Sequence, residues 1–115
     1  MHANHAAAIA IIRSAIDKCQ KDGIPIRRGA FGLRRSDEGT FVLDTEAVVP
    51  GVCALGAVAL GREGRSAIAI AEQVLGVDYM WVRDFVRGFD DESGTGVVSE
   101  AMQAGSRLAK EVFGA

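Results

Sequence analysis

Cys53 is the residue whose type and position best suit covalent chemistry. It follows Pro50-Gly51 and opens an uncharged apolar segment, 52–60, that is expected to form a helix. A thiol in the first turn of a helix faces unpaired backbone N–H groups, which stabilise the nucleophilic thiolate. A cysteine nucleophile also needs a base, and the two histidines, His2 and His5, lie at the distant start of the chain. The pattern favours a small buried residue at Cys53, with a cysteine-dependent enzyme as an alternative.

Other chemical signatures are missing from the sequence. No phosphate-binding glycine loop, paired-cysteine motif, metalloprotease motif or serine-hydrolase motif occurs. The acidic run 90–92 lacks the alternating oxygen ligands of a calcium loop, and Ala101 occupies the place of its closing glutamate. Two cysteines, Cys19 and Cys53, cannot build a disulfide framework, so both are expected to be free thiols. We expect no metal or cofactor, and a binding protein is favoured over an enzyme.

A cluster of arginines suggests an anion site. Four basic residues fall within nine positions of the chain: Arg27, Arg28, Arg34 and Arg35. Guanidinium groups bind phosphate and carboxylate through paired hydrogen bonds, which makes Arg34 and Arg35 candidate binding residues. The alternative, which the pattern favours, is a solvated edge strand whose charges prevent pairing with other strands.

Residues 71–85 resemble a helix-turn-helix. Leu75-Gly76-Val77 supplies a turn, and an amphipathic helix follows it. The outer face of that helix offers Tyr79, Arg83 and Asp84 rather than several donors for base edges. The net charge of −2 gives no general attraction to phosphate. A plain helical hairpin is therefore favoured, with nucleic-acid binding as an alternative.

Hydrophobic periodicity predicts the elements that would position these residues. With 49% hydrophobic and 24% charged residues, the composition is that of a globular domain. Phe31, Leu33, Phe41 and Leu43 alternate around a polar turn, which predicts a β-hairpin. Helical spacing predicts five helices, at 4–21, 52–60, 66–75, 79–90 and 98–113. We expect a single α+β domain over 1–115, mostly helical, in which the hairpin and helices one, four and five pack on the buried helix 52–60.

Two short motifs carry a resemblance. Cys53-Ala54-Leu55-Gly56-Ala57 and the later Gly88-Phe89-Asp90 resemble small, uncharacterised bacterial and phage proteins that combine a Cys-x-Leu-Gly-Ala helix with a Gly-Phe-Asp helix end. The resemblance covers about 53–90 and implies no activity. It implies that Cys53 and the Gly-Phe-Asp motif belong to one structural unit. From residue chemistry, Gly88 should allow a left-handed turn or a close backbone contact, and Asp90 should accept nearby backbone N–H groups. If the helix 52–60 begins beside Asp90, these would be the N–H groups that open that helix.

The function that these observations favour is a small, non-catalytic protein–protein interaction or regulatory module. Exposed aromatics, Tyr79 and Trp81, would lie beside the Gly-Phe-Asp corner, with Asp90 as a further binding residue. The partner would be another protein or a second copy in a homodimer. No apolar run approaches the roughly 18 residues of a membrane span, so no membrane contact and a cytoplasmic location are expected.

Overall fold

The computed structural model describes residues 2–91 and 99–114. Those residues form five helices and one antiparallel pair of strands, so the predicted α+β, mostly helical class is confirmed. The elements are α1 (His5–Lys21), β1 (Leu33–Arg35), β2 (Phe41–Leu43), α2 (Ala54–Ala59), α3 (Ala67–Leu75), α4 (Tyr79–Asp90) and α5 (Glu100–Phe113). The predicted start of the last helix, at residue 98, lies outside the described residues. The radius of gyration is 13.3 Å, close to that of one globular unit of this length.

Capping residues set most of the helix ends. Ser66, Asp78 and Ser99 each precede a helix, and each side chain accepts the backbone N–H three residues further on. Gly76 ends α3 with φ 68°, the left-handed conformation that a glycine adopts without strain. Asn4 precedes α1 but does not cap it with its side chain, which instead donates to the carbonyl of Gly76 at 2.6 Å. This bond ties the start of α1 to the turn between α3 and α4.

The buried central helix is shorter than predicted. The sequence indicated 52–60, whereas α2 has six residues and Cys53 is its extended N-cap residue. Val52 instead forms an isolated parallel bridge with Ile26. At Gly56, an added β-carbon would lie 2.5 Å from the carbonyl oxygen of Phe31, so this part of α2 is pressed against the segment that leads into β1. The extended residues before α2 are thus held by backbone pairing, which hydrophobic periodicity does not reveal.

The packing around α2 also differs from the prediction. Helices α1 and α3 provide most of its neighbours, with a smaller contribution from α4, while α5 packs along α4. A β-carbon on Gly88 would lie 2.0 Å from the carbonyl oxygen of Met102, and one on Gly105 would lie 2.1 Å from that of Phe85. The φ of Gly88 is not positive, so this glycine serves the close backbone contact rather than a left-handed turn. The α4–α5 pair therefore forms a separate, tightly packed layer.

The predicted β-hairpin is present, although Phe31, expected on its apolar face, lies before β1. Leu33 is opposite Leu43 and Arg35 is opposite Phe41. Leu33 and Phe41 are buried, while Leu43 is partly buried against the core. The backbone of Phe41 also bonds to the segment that follows α2, at residues 61–62, so β2 is held on both sides. Within the described ranges, no helix combines the length and apolar character needed to cross a membrane.

Candidate functional site

The Gly-Phe-Asp corner joins the end of α4 to the segment before the hairpin. Asp90 Oδ1 accepts the backbone N–H of Gly29 at 2.9 Å. Asp90 thus accepts a nearby backbone N–H as expected, but the donor is Gly29 and not one of the N–H groups that open α2. Burial raises the pKa of Asp90, although the Gly29 hydrogen bond and the charge of Arg28 lower it. The Arg28 guanidinium also lies 4.9 Å from the ring centre of Phe113 in α5. The corner thus fastens α4 and α5 to one loop.

Cys53 lies near this corner in an environment that suppresses its reactivity. Its exposed fraction is 5%. Burial is the largest effect on its thiol and raises the pKa, and the charge of Asp90 raises it further. The backbone N–H of Gly56 lowers the pKa, but by less than burial raises it. A thiol with a raised pKa stays protonated at neutral pH and is a poor nucleophile. Cys53 is the N-cap residue of α2 rather than a residue of its first turn. The N–H groups of Gly56 and Leu55 lower the pKa of its thiol as expected, but burial raises it by more, which gives the enzyme alternative no support.

The charge of Asp90 contributes to the raised pKa of Cys53, which indicates that Cys53 and the Gly-Phe-Asp motif lie in the same part of the fold. Burial likewise raises the pKa of Cys19, in α1. Both cysteines are free and buried, which confirms that they are not bonded to each other. The acidic run that continues from Asp90 reaches Glu92, which lies outside the described residues.

Trp81 is a core residue, so the expectation that it is exposed is wrong. Only 6% of its surface is accessible. Its indole N–H donates to Nδ1 of His5 at 3.1 Å, and its ring stacks on Phe85 with the two centres 5.2 Å apart. The first turn of α1 thus covers Trp81, a long-range contact that no pattern within α4 indicates. The Nε2 atom of His5 lies 3.8 Å from the carboxylate of Glu100 at the start of α5.

Tyr79 is half-exposed as expected, but it does not lie beside the Gly-Phe-Asp corner. Its neighbour Met80 is equally exposed, and both belong to the first turn of α4. Asp90 is the last residue of the same helix, which separates it from Tyr79 by about 16 Å at the rise of an α-helix. The predicted binding residues of α4 therefore belong to two surfaces at opposite ends of the helix.

The outer face of α4 carries few groups that could contact nucleic acid. Arg83 is paired with the adjacent Asp84 at 3.2 Å, and Arg87 is exposed near the end of the helix. Helices α3 and α4 are joined by the residues 76–78 as a helical hairpin. Because phosphate contacts need several unpaired cations, this face gives the nucleic-acid alternative no further support.

Three of the four arginines between 27 and 35 contact separate parts of the chain, and the fourth, Arg34, is exposed in β1. Arg27 donates from Nε to the carbonyl of Pro50 at 2.7 Å, while Arg28 lies at the corner with Asp90. Arg35 donates to two backbone carbonyls at residues 64–65. The guanidinium groups of Arg27, Arg28 and Arg35 hold separate loops in place, which gives the anion patch no support. The exposed Arg34 is consistent with the solvated edge strand that the sequence pattern favours.

An exposed apolar loop was missed in the sequence. Val48 is 98% exposed and Val49 is 53% exposed, in the connection between β2 and α2. The loop is held at one end by an Asx turn, in which Asp44 Oδ1 accepts the N–H of Glu46 at 3.1 Å. The Arg27 bond described above holds the other end. The sequence signal for this loop was the apolar run 47–50, which follows polar residues and whose last residue is the proline of a Pro-Gly pair.

Comparison with known proteins finds no family model, no curated protein and no solved structure that matches this chain. The fold defines a small α+β domain in which a helical layer and a hairpin surround a short buried helix.

Proposed function

We propose that the protein is a non-catalytic protein–protein interaction module that presents the apolar loop 44–50 to its partner. The observation that carries this proposal is the near-complete exposure of Val48, next to the half-exposed Val49. Burying a valine side chain stabilises a protein or a complex by about 1.5–3 kcal/mol. The isolated chain does not gain this free energy at Val48, because the side chain stays exposed after folding. Contact with another protein would recover it.

The attachment of the loop supports the same proposal. Binding costs free energy when a mobile segment has to be ordered, and a segment that is already held avoids much of that cost. Asp44 orders the first turn of the loop, and the Arg27–Pro50 bond holds its end. Beyond it, Gly51 is buried and the backbone N–H of Val52 donates to the carbonyl of Pro25. The two valines therefore project from a framework that is organised before a partner arrives.

The partner is a protein with an apolar surface, and a second copy of the chain in a homodimer is one such partner. Tyr79, with Met80, provides a second half-exposed apolar surface that a large partner could also contact. We further propose a cytoplasmic location, since a reducing compartment keeps two free cysteines in the thiol form.

Site-specific photo-crosslinking tests the proposal. A photoreactive phenylalanine analogue at Val48 should give a discrete adduct in cells or extracts of the native source, and Asp37, which is exposed in the hairpin turn, provides the matched control position. An adduct of twice the chain mass identifies a homodimer, and a larger or smaller one identifies a different protein. Adding Val49→Asp should suppress the adduct. Equal labelling at the two positions, or none at Val48, would refute the proposal.

A further inference from the structure

A second surface feature lies between the hairpin and the start of α3. It is an open groove of about 480 Å³ whose floor is apolar and whose rim carries two arginines. The groove is open to solvent, so a ligand in it would keep one side exposed. The side chains that line it include Phe31, Phe41, Leu55, Ile68, Arg35 and Arg65. The apolar loop 44–50 does not contribute to this lining.

The floor of the groove is held in place by aromatic packing. Phe31 meets Phe41 edge to face, with ring centres 5.9 Å apart and planes at 82°. Phe41 is buried, and the Arg35 guanidinium lies 5.3 Å from its ring centre. An apolar group placed in the groove would thus meet ordered rings and a fixed cation rather than mobile side chains.

The rim supplies positive charge. Arg35 is oriented by its bonds to the carbonyls of Gly64 and Arg65, which use one of its two terminal nitrogens. The Arg65 side chain is exposed and makes no hydrogen bond or ion pair with any described residue. The nearby carboxylate of Glu63 contacts Thr40 Oγ1 at 3.5 Å and does not line the groove. Arg35 and Arg65 both line the groove, so a carboxylate above the apolar floor would lie close to the Arg35 guanidinium and within reach of the exposed Arg65 side chain.

We propose that this groove binds a carboxylate attached to an apolar group of about the size of a phenylalanine side chain. The apolar floor accounts for the apolar part, and the guanidinium groups of Arg35 and Arg65 account for the charge. Inorganic phosphate would contact only the arginines at the rim, because it has no apolar part to cover the floor of the groove. Two sources share this chemistry, a free aromatic or aliphatic acid and the C-terminal residue of a polypeptide. The inference is independent of the partner proposed for the apolar loop, because it concerns a different surface.

Titration of the full chain with matched probes, followed by amide NMR shifts, tests the inference. 3-Phenylpropionate should bind at least about tenfold more tightly than 3-phenylpropionamide, which has the same shape without the charge. Arg65→Gln should remove most of that difference. Arg34→Gln is the matched control, because Arg34 precedes Arg35 in β1 and points to the opposite face of the ribbon. Thermal unfolding of both variants should match that of the parent protein.

A tripeptide, N-acetyl-Gly-Gly-Phe, separates the two sources. Tighter binding of the tripeptide than of 3-phenylpropionate assigns the site to polypeptide C-termini, and the reverse order assigns it to free acids. Amidation of the tripeptide should weaken it about tenfold in either case. The inference is overturned if neither acid binds up to about 10 mM, if acid and amide bind equally, or if Arg34→Gln has the effect expected of Arg65→Gln.

Discussion

Substitution of Gly105 by alanine is the most direct test of the packing between α4 and α5. The added β-carbon would lie 2.1 Å from the carbonyl oxygen of Phe85 and 2.8 Å from the backbone nitrogen of Phe89. Both neighbours are backbone atoms inside a helix, which cannot rotate away as a flexible side chain can. Ordinary contact begins at 3.4 Å, so α5 has to move away from α4 by about 1.3 Å along this direction.

Two opposing effects decide the stability of this variant. Alanine favours the helical backbone over glycine by about 1 kcal/mol. Separating the helices loosens contacts around Phe85 and Phe89, which are 2% and 0% exposed, and overpacking of this kind costs about 1–3 kcal/mol or more. Because the clash involves backbone atoms on both helices, we expect a cost at or above the upper end of this range, so the second effect should win with a net loss of about 2 kcal/mol or more.

Urea unfolding followed by circular dichroism and by the fluorescence of Trp81, the single tryptophan, would measure this loss. The control is Gln103→Ala, on the exposed face of α5, which should change the free energy of unfolding by less than about 0.5 kcal/mol. A Gly105→Ala protein that equals or exceeds the parent in stability would refute the close backbone contact. The gain in helix propensity would then be the only effect left.

One further prediction concerns the corner at Asp90, and another concerns the two buried thiols, Cys19 and Cys53. Asp90→Asn keeps an oxygen that can accept the N–H of Gly29, and it removes a carboxylate charge whose burial is unfavourable and raises the pKa of Asp90. In urea unfolding at pH 7, the variant should therefore be at least as stable as the parent. Because the folded-state pKa of Asp90 is raised, the free energy of unfolding of the parent should fall relative to that of the variant as the pH rises from about 4 through that pKa. A variant that is less stable than the parent at pH 7 by more than about 1 kcal/mol would refute this reasoning. Cys19 and Cys53 should react with iodoacetamide at neutral pH at least about tenfold more slowly in the folded chain than in denaturant, and rapid stoichiometric labelling of folded Cys53 would contradict its raised pKa.

The candidate site was only partly predictable, and the reasons are physical. Tyr79 was identified as exposed because it begins an amphipathic helix without joining the apolar stripe. Trp81 was misjudged, because its burial depends on a hydrogen bond and a ring contact with His5, 76 residues away. Val48 was missed, because the exposure of an apolar residue in a loop depends on whether another part of the chain covers it.

Local signals in the sequence determined the elements of this protein. The spacing of apolar residues predicts α1, α3, α4 and α5, and Ser66, Gly76 and Asp78 mark helix ends through bonds to backbone groups at most four residues away. Such interactions depend on neighbours along the chain, so a sequence reveals them.

Only the tertiary structure decided which distant groups meet. It shortened α2, brought Gly29 to the carboxylate of Asp90, and set Gly105 against the backbone of α4. It also separated Arg35, which lines a groove with Arg65, from the other arginines of its cluster. Each of these contacts joins residues far apart in sequence, and their geometry depends on how whole elements pack, which local periodicity and capping do not encode.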